Sequence, residues 1–208
     1  MEKILVAGAH GTTGKKIISI LKGSDKYEPI AMVRKEEQAS NFKSEGVKTV
    51  LADLEGDISN STKGIDRVIF AAGSGGKKVK EVDQEGAKKL MDSSKKNGVK
   101  KFVMLSSMGA DNPDEAEDLK EYLKAKHNAD EYLKQLGIEY TIIRPGSLTN
   151  EDGKGKINLD SKLNKRGEIS RRDVAETLVG SLEDNIAKNK TFEILEGETY
   201  IKAALEKI

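Results

Sequence analysis

The chain has 208 residues, and its 36 basic and 35 acidic side chains leave a formal net charge of only +1. This balance argues against nucleic acid or a membrane surface as the main partner. There is no cysteine, and the two histidines, His10 and His127, lie far apart, so neither disulfides nor a metal site is predicted. The chain begins with a strand rather than a signal peptide, and no apolar stretch approaches the ~20 residues that span a bilayer. We therefore expect a cytoplasmic protein of one domain.

Residues 3–21 read KILVAGAHGTTGKKIISIL, which predicts a buried strand, a glycine turn and an amphipathic helix. Gly8 permits a sharp turn, Gly11 lets a pyrophosphate approach the backbone, and Gly14 lets the helix pack closely on the strand. The free N–H groups of the helix that begins near Thr12 would face the phosphates. The motif predicts a dinucleotide site. The alternative is a glycine-rich turn without a ligand.

Strands and helices alternate through the rest of the chain. Apolar runs rich in β-branched residues occur at 28–33, 47–52, 67–72, 100–106, 139–145 and 191–195. Segments with helical periodicity occur at 79–98, 114–137 and 171–184, followed by a short terminal helix. Near-continuous apolar strands separated by helices are typical of a parallel sheet covered on both faces, so we predict an α/β domain over residues 1–208.

The longest non-periodic stretch spans residues 146–167 and begins GSLTNEDGKGK. It is too long for a simple connection, since most connections in compact domains are short. We therefore predict an irregular substrate-side loop, part of a small C-terminal substrate-side segment. The alternative is a solvated surface loop.

The end of the second strand favours NADP over NAD. NAD sites usually carry an acidic residue there to hold the ribose hydroxyls, whereas this chain has Arg34 followed by Lys35. A guanidinium can bind a 2′-phosphate bidentately. The alternative is that Arg34 is a solvated cation at the strand end. Asp53, at the end of the third strand, is placed to accept a hydrogen bond from the adenine amino group.

Tyr122 and Lys126 form the one Tyr-x-x-x-Lys pair in the chain, and on a helix this spacing places both side chains on one face. An ammonium beside a phenol favours proton exchange with an alcohol or a carbonyl near neutral pH. A serine at the tip of the fifth strand, Ser106 or Ser107, would orient that carbonyl. The alternative is an ordinary exposed pair on a helix.

With these elements, the chain resembles the short-chain dehydrogenase/reductase superfamily. More closely, it resembles the atypical bacterial NAD(P)-binding branch described as epimerases or NmrA-like proteins. The resemblance covers almost the entire chain. The motifs that carry it lie at residues 8–14, 70–76, 82–111, 122–133, 140–149 and 169–178.

The resemblance implies a Rossmann-type, doubly wound sheet that binds NADP, with Ser107, Tyr122 and Lys126 in the positions of the superfamily's catalytic serine, tyrosine and lysine. Asp83 stands where catalytic members usually have an asparagine, and we count it with the candidate catalytic residues. The predicted cofactor contacts are Gly8, His10, Gly11, Thr12, Thr13, Gly14, Arg34, Lys35, Asp53, Leu54, Ala71, Ala72, Gly73, Ser106, Lys126, Pro145 and Gly146.

Two functions remain open at this point. The first is an NADP-dependent oxidoreductase or epimerase that acts on a small carbonyl or hydroxyl compound. The second is a non-catalytic NADP(H) redox sensor that regulates a protein partner. The intact Ser/Tyr/Lys set favours the enzyme, whereas Asp83 and the small substrate-side segment favour the sensor.

Overall fold

A nine-stranded sheet forms the centre of the computed structural model, which describes residues 1–116 and 118–208. The strands in chain order are β1 (Glu2–Ala7), β2 (Tyr27–Val33), β3 (Lys48–Leu51), β4 (Arg67–Phe70), β5 (Lys101–Leu105), β6 (Glu139–Pro145), β7 (Ser147–Thr149), β8 (Lys156–Asp160), β9 (Glu168–Ser170), β10 (Lys190–Glu196) and β11 (Thr199–Tyr200). The sheet has the order β11-β8-β10-β6-β5-β4-β1-β2-β3, and β7 pairs with β9 in a separate ladder.

The connections between the parallel strands are mostly helical. The α-helices are α1 (Thr12–Lys22), α2 (Glu36–Ser44), α3 (Ala87–Lys96), α4 (Lys120–Gln135), α5 (Arg171–Gly180) and α6 (Ile201–Leu205). A π-helical segment, Val79–Gly86, runs directly into α3, and a 3₁₀ turn, Pro113–Glu115, precedes α4.

The seven strands from β10 to β3 are parallel, while β8 and β11 add antiparallel pairs at one edge. The strand order reverses direction at β1, which lies between β2 and β4. In sheets of this kind, ligands bind outside the carboxyl ends of the strands at such a switch point. The predicted α/β fold with a doubly wound parallel sheet is confirmed.

Side chains alternate between the two faces of the sheet, so each parallel strand contributes to two cores. Ile4 and Val6 pack with α1, α2, α5 and α6, whereas Leu5 and Ala7 pack with α3 and α4. Burial on both faces explains why these strands are continuous apolar runs in the sequence. The carboxyl edge of the sheet is left open between the two helical layers.

Three sequence predictions about elements were wrong in part. The predicted irregular loop at 146–167 contains β7 and β8, and β8 pairs antiparallel with β10. The predicted helix at 114–137 begins only at Lys120, because Leu119 adopts a left-handed conformation (φ 61°) that interrupts the helix. The helix predicted at 171–184 ends at Gly180.

The amino ends of β1 and β4 are joined by a buried cation. The guanidinium of Arg67 donates to Glu2 (Nε–Oε2 2.8 Å), to Asp184 (Nη2–Oδ1 2.6 Å) and to the carbonyl oxygen of Leu182 (2.5 Å). The Arg67 side chain is only 5% exposed, so these acceptors replace the water that it gives up on folding.

Glu2→Gln should lower the free energy of unfolding by about 1 kcal/mol at pH 7, because it weakens a charge-assisted hydrogen bond to a buried guanidinium. The bond from Arg67 lowers the pKa of Glu2 below its ordinary value of 4.5. A group with a lowered pKa stabilises the fold above its unfolded pKa, and the contribution is lost as the pH falls through its folded pKa. In urea denaturation, the difference in the free energy of unfolding between the wild type and Glu2→Gln should therefore shrink as the pH falls below 4.5.

Glu28→Gln is the control, since Glu28 pairs with an exposed lysine, Lys48, at 2.6 Å. We expect its effect to stay within a few tenths of a kcal/mol, as for most surface pairs. A Glu2→Gln effect that is equally large at about pH 3 would contradict the electrostatic explanation.

Candidate functional site

A groove of ≈ 470 Å³ lies at the carboxyl ends of β1 to β4, over the switch point of the sheet. It contains nine of the residues predicted to contact a cofactor: Gly8, His10, Gly11, Arg34, Asp53, Leu54, Ala71, Ala72 and Gly73. The sequence analysis did not single out its other lining residues, Met32, Val33, Gln38, Ala52, Ser74, Lys77, Lys78 and Val82.

The glycine turn brings β1, α1 and β4 into close contact. Gly8 has φ +83°, and a Cβ there would lie 2.6 Å from the backbone of Ala72. A Cβ on Gly14 would lie 2.1 Å from the carbonyl oxygen of Gly8, so α1 packs directly on the end of β1. Gly11 differs, because its Cβ would meet only the Gly8 carbonyl oxygen, at 3.2 Å. Gly8 and Gly14 are therefore fixed by the fold, whereas Gly11 faces the groove.

The amino end of α1 presents free backbone donors beside Gly11. Gly11 is the N-cap residue and has no side chain to cap the helix. The Lys15 N–H donates to the Gly11 carbonyl oxygen (2.9 Å) and begins the helical hydrogen bonds. The first turn of a helix leaves its N–H groups without intrahelical acceptors, which makes it a favourable place for a phosphate. Thr13 is buried, and Thr12 lines a neighbouring depression rather than the groove.

The opposite end of the groove is lined by polar groups from three strand ends. Arg34 is exposed, and its backbone N–H donates to Gln38 Oε1 (3.3 Å) on the first turn of α2. Lys35 is the N-cap residue of α2 and does not line the groove. A salt bridge between Lys78 and Glu55 (2.7 Å) joins the segments that follow β4 and β3. The exposed Arg34 side chain therefore lies at the end of β2, in the lining of the groove.

Two buried groups of opposite charge lie beyond Gly73. Lys126 Nζ donates to the Leu105 carbonyl oxygen (3.2 Å) and lies 3.6 Å from Asp83 Oδ1. Both side chains are almost fully buried, at 3% and 1% exposure. Asp83 Oδ2 accepts the Ser74 backbone N–H (3.0 Å), whereas Asp83 Oδ1 and Ser74 Oγ have no hydrogen-bond partner within residues 1–116 and 118–208. Asp83 lies in the π-helical segment, and such segments frequently occur at functional sites.

The structure brings Tyr122 and Lys126 together, with the ammonium 5.6 Å from the ring centroid. Tyr122 is half-buried. The two candidate serines differ in their surroundings. Ser106 is buried and donates to Asp130 Oδ2 (2.8 Å), whereas Ser107 is half-buried and donates to the Met108 carbonyl oxygen (3.2 Å). Of the two hydroxyls, that of Ser107 is the more accessible to a ligand.

Pro145 and Gly146 lie at the end of β6 and outside the groove lining. The Pro145 carbonyl oxygen accepts the Met108 N–H (3.0 Å), and the Gly146 N–H donates to the Ile194 carbonyl oxygen (3.1 Å). These bonds tie the end of β6 to the segment that follows β5 and to β10. The two residues therefore fix backbone geometry next to Ser107.

Sequence reasoning missed a second buried ion pair next to this site. Asp130 is fully buried, and its Oδ2 accepts Arg144 Nε (3.0 Å) as well as the Ser106 hydroxyl. Burial raises the pKa of the Asp130 carboxyl, while the Arg144 charge acts in the opposite direction. The signal was present in the sequence, because Asp130 follows Lys126 by four residues on the same helix.

Within residues 1–116 and 118–208, no group of three or more histidine and carboxylate side chains is placed to hold a metal ion. In the same ranges, no helix is both long and apolar enough to cross a membrane.

A doubly wound sheet with a glycine turn at β1 and a groove over its switch point defines a dinucleotide-binding protein. The chain matches the NAD(P)H-binding family over residues 8–185, and it belongs to this family of atypical short-chain dehydrogenase/reductase-like Rossmann proteins.

Three relatives illustrate the family. An uncharacterized sugar epimerase, YhfK, of Bacillus subtilis is 42% identical, over 99% of this chain and 100% of that protein. Sanguinarine reductase of Eschscholzia californica is 32% identical, over 92% of this chain and 88% of that protein. A solved structure from Bacillus halodurans, provisionally named as an NAD-dependent epimerase/dehydratase, is 38% identical with a TM-score of 0.95, and the match covers 100% of both chains.

These comparisons confirm the predicted family, the nicotinamide class of cofactor and the oxidoreductase/epimerase class. The choice of NADP over NAD, the NmrA-like assignment, the cytoplasmic location and the roles of individual site residues stay predictions.

Gly11→Val should abolish binding of the nicotinamide cofactor while the protein stays folded, because the added side chain would fill the space that the pyrophosphate needs. The backbone at Gly11 (φ −67°, ψ 165°) suits valine, so the fold should tolerate the change. Calorimetric titration with NADPH and circular dichroism would measure the two effects.

Gly23→Val, at the other end of α1, is the matched control, since a Cβ there would meet only the Ile20 carbonyl oxygen, at 3.5 Å. It should bind the cofactor like the wild type. Normal binding by Gly11→Val would show that the phosphates do not lie on this turn.

Proposed function

We propose that the protein is an NADP(H)-dependent oxidoreductase or epimerase that acts on a small carbonyl or hydroxyl compound. The observation that carries this proposal is the position of the buried Lys126 ammonium, which donates to the Leu105 carbonyl oxygen and lies 5.6 Å from the centroid of the Tyr122 ring. A tyrosine and a lysine on one face of a helix, beside the end of β5 that Ser106 and Ser107 follow, form a group that can exchange a proton with a carbonyl or hydroxyl compound. The names of the relatives, one an epimerase and one a reductase, are consistent with this class.

The groove has the features that a nicotinamide dinucleotide requires. The turn at Gly11 and the amino end of α1 would hold the pyrophosphate, and Asp53 would accept a hydrogen bond from adenine. The buried Ser74 hydroxyl makes no hydrogen bond to the residues that the structure describes, and Ser74 lines the groove, so the hydroxyl is available to a bound ligand. The nicotinamide end would then point toward Lys126, beyond Gly73.

Arg34 supports NADP as the cofactor. It lines the groove at the end of β2, and within the described residues no salt bridge engages its guanidinium. Gln38, which accepts the Arg34 backbone N–H, supplies a neutral side chain where a carboxylate would repel a 2′-phosphate. The exposed Lys77 adds positive charge to the same groove, whereas the charge of Lys78 is paired with Glu55.

NADPH should bind roughly ten- to a hundredfold more tightly than NADH, as expected from ~1.5–3 kcal/mol for charge-assisted phosphate contacts. Arg34→Ala should remove most of this preference and leave the affinity for NADH nearly unchanged. Calorimetric titration of the wild type and of Arg34→Ala with NADPH and with NADH measures these affinities. Lys43→Ala, an exposed cation on α2 outside the groove, is the control and should change neither affinity. Equal affinities of the wild-type protein for NADPH and NADH would contradict the proposal.

Three residues of the chain, Tyr122, Ser107 and Lys126, would have separate roles in the reaction. A bound nicotinamide supplies or accepts the hydride at the substrate carbon. Tyr122 would donate a proton to the carbonyl oxygen in reduction and accept it from the hydroxyl in oxidation. Ser107 would donate a hydrogen bond to the same oxygen and orient it, as a donor placed where charge develops does. Lys126 would stabilise the phenolate and contact the nicotinamide ribose.

Tyr122→Phe removes one hydroxyl and keeps the ring packed against Lys126, so it tests the acid/base role directly. Any NADPH-dependent turnover found in a substrate screen should fall by about 10²-fold or more, while NADPH affinity barely changes. Tyr132→Phe is the matched control, because Tyr132 lies on the same helix, α4, and its hydroxyl donates to Asp92 Oδ1 on α3 (2.6 Å). Turnover that survives Tyr122→Phe would exclude this mechanism.

The second candidate is the NADP(H) redox sensor, and the observation that favours it is the Asp83–Lys126 pair. A carboxylate 3.6 Å from the ammonium neutralises the charge that a catalytic lysine would exert on Tyr122. A sensor would show no turnover on any carbonyl compound, and its affinity for a protein partner would differ between NADP and NADPH.

A further inference from the structure

One face of α4 carries three polar side chains in a row. Tyr122, Lys126 and Asp130 follow one another at four-residue intervals, which places them on one side of a helix. Tyr122 is half-buried, whereas Lys126 and Asp130 are 3% and 0% exposed. The row therefore runs from the accessible part of the site into the protein interior and ends at a buried carboxylate.

Within the described residues, all the hydrogen bonds of the Asp130 carboxylate go to one of its oxygens. Oδ2 accepts the Ser106 hydroxyl (2.8 Å) and Arg144 Nε (3.0 Å), and Arg144 Nη2 lies 2.9 Å from the same oxygen in the ion pair. Oδ1 is buried and has no hydrogen-bond partner among these residues. Arginine–carboxylate pairs are frequently bidentate, with both oxygens engaged. Here a single oxygen of Asp130 contacts both the Ser106 hydroxyl and the Arg144 guanidinium.

The partners of Asp130 lie on the two strand ends beside the candidate site. Ser106 follows β5 directly and precedes Ser107, and Arg144 lies one residue before the end of β6. Backbone bonds join these two ends, from the Ser106 N–H to the Ile143 carbonyl oxygen (2.8 Å) and from the Met108 N–H to that of Pro145 (3.0 Å). Asp130 thus connects α4, which carries Tyr122 and Lys126, to the segment that carries Ser107.

We propose that Asp130 is a positioning residue, which holds α4 against the ends of β5 and β6 so that Tyr122 and Lys126 stay in register with Ser107. This inference rests on the catalytic role proposed for Tyr122. Asp130 does not contact the substrate. It acts through Ser106 and Arg144, and its removal displaces the helix face relative to the strand end.

The test uses Ser106→Ala, which removes one hydrogen bond and leaves the ion pair in place, and Asp130→Asn, which removes the charge at constant size. Lys101→Met is the matched control. Lys101 is also fully buried on β5, at its amino end, and its ammonium donates to the carbonyl oxygens of Glu183 (3.2 Å) and Ile186 (2.7 Å). Two kinds of quantity are measured. The first is the kcat of the NADPH-dependent reaction together with the KM for NADPH. The second is the ¹³Cζ resonance of Tyr122 in protein with labelled tyrosines, which is assigned by its absence from the spectrum of Tyr122→Phe.

Ser106→Ala should lower kcat roughly tenfold with little change in the KM for NADPH, because small displacements of reacting groups are costly. It should also shift the Tyr122 resonance. Asp130→Asn should lower kcat and shift the Tyr122 resonance more strongly than Ser106→Ala does. Lys101→Met should lower only the melting temperature. If Asp130→Asn fails to fold, Ser106→Ala decides alone.

A Ser106→Ala protein with wild-type kcat and an unmoved Tyr122 resonance would overturn the positioning role. Should the substrate screen find no turnover, the proposed enzymatic function fails, and the resonance by itself then decides whether Asp130 positions the ring. Turnover that is unaffected by Tyr122→Phe but lowered by Ser106→Ala would reject the role of Tyr122 and not the coupling.

Discussion

The position of the groove depends on the close approach of three backbone segments around Gly8. A side chain at Gly8 would collide with the backbone of Ala72, and one at Gly14 would collide with Gly8 itself. Because Gly8 and Gly14 have no side chains, the backbones of β1, α1 and β4 can meet at the switch point of the sheet. The amino end of α1 is thereby brought over the carboxyl ends of the strands, where its N–H groups can meet a phosphate. At Gly11, by contrast, the space that a side chain would occupy opens into the groove and can hold a ligand.

Two groups of buried charges lie at opposite edges of the sheet, and the two differ in character. At the amino edge, Arg67 is satisfied by several acceptors and ties strand ends together. At the carboxyl edge, Asp83 and Asp130 each keep one buried oxygen that accepts no hydrogen bond from the described residues. Buried ion pairs are weak contributors to stability compared with apolar packing, and unsatisfied polar groups lower it further. Their presence on one side of the molecule, next to Tyr122 and Lys126, is better explained by function.

Much of the fold could be predicted from the sequence, because parallel strands buried on both faces are continuous apolar runs and the glycine turn has a distinct spacing. The groove-lining residues at strand ends, such as Arg34 and Asp53, followed from that arrangement. The π-helical segment could not be predicted, since its apolar spacing resembles that of the α-helix it continues. Strand β8 was missed because its pairing with β10 is non-local. Lys77 and Lys78 were missed because only the tertiary path of their loop directs them into the groove.

We propose that a dinucleotide lies along this groove with its nicotinamide end at Tyr122 and Lys126. A crystal structure of the protein with NADP⁺ tests this arrangement most directly. We expect the pyrophosphate on the Gly11 turn, the 2′-phosphate against Arg34, and the nicotinamide C4 atom facing the Tyr122 hydroxyl with Lys126 on the adjoining ribose. A cofactor bound in the opposite direction, or with its nicotinamide ring away from Tyr122, would contradict it.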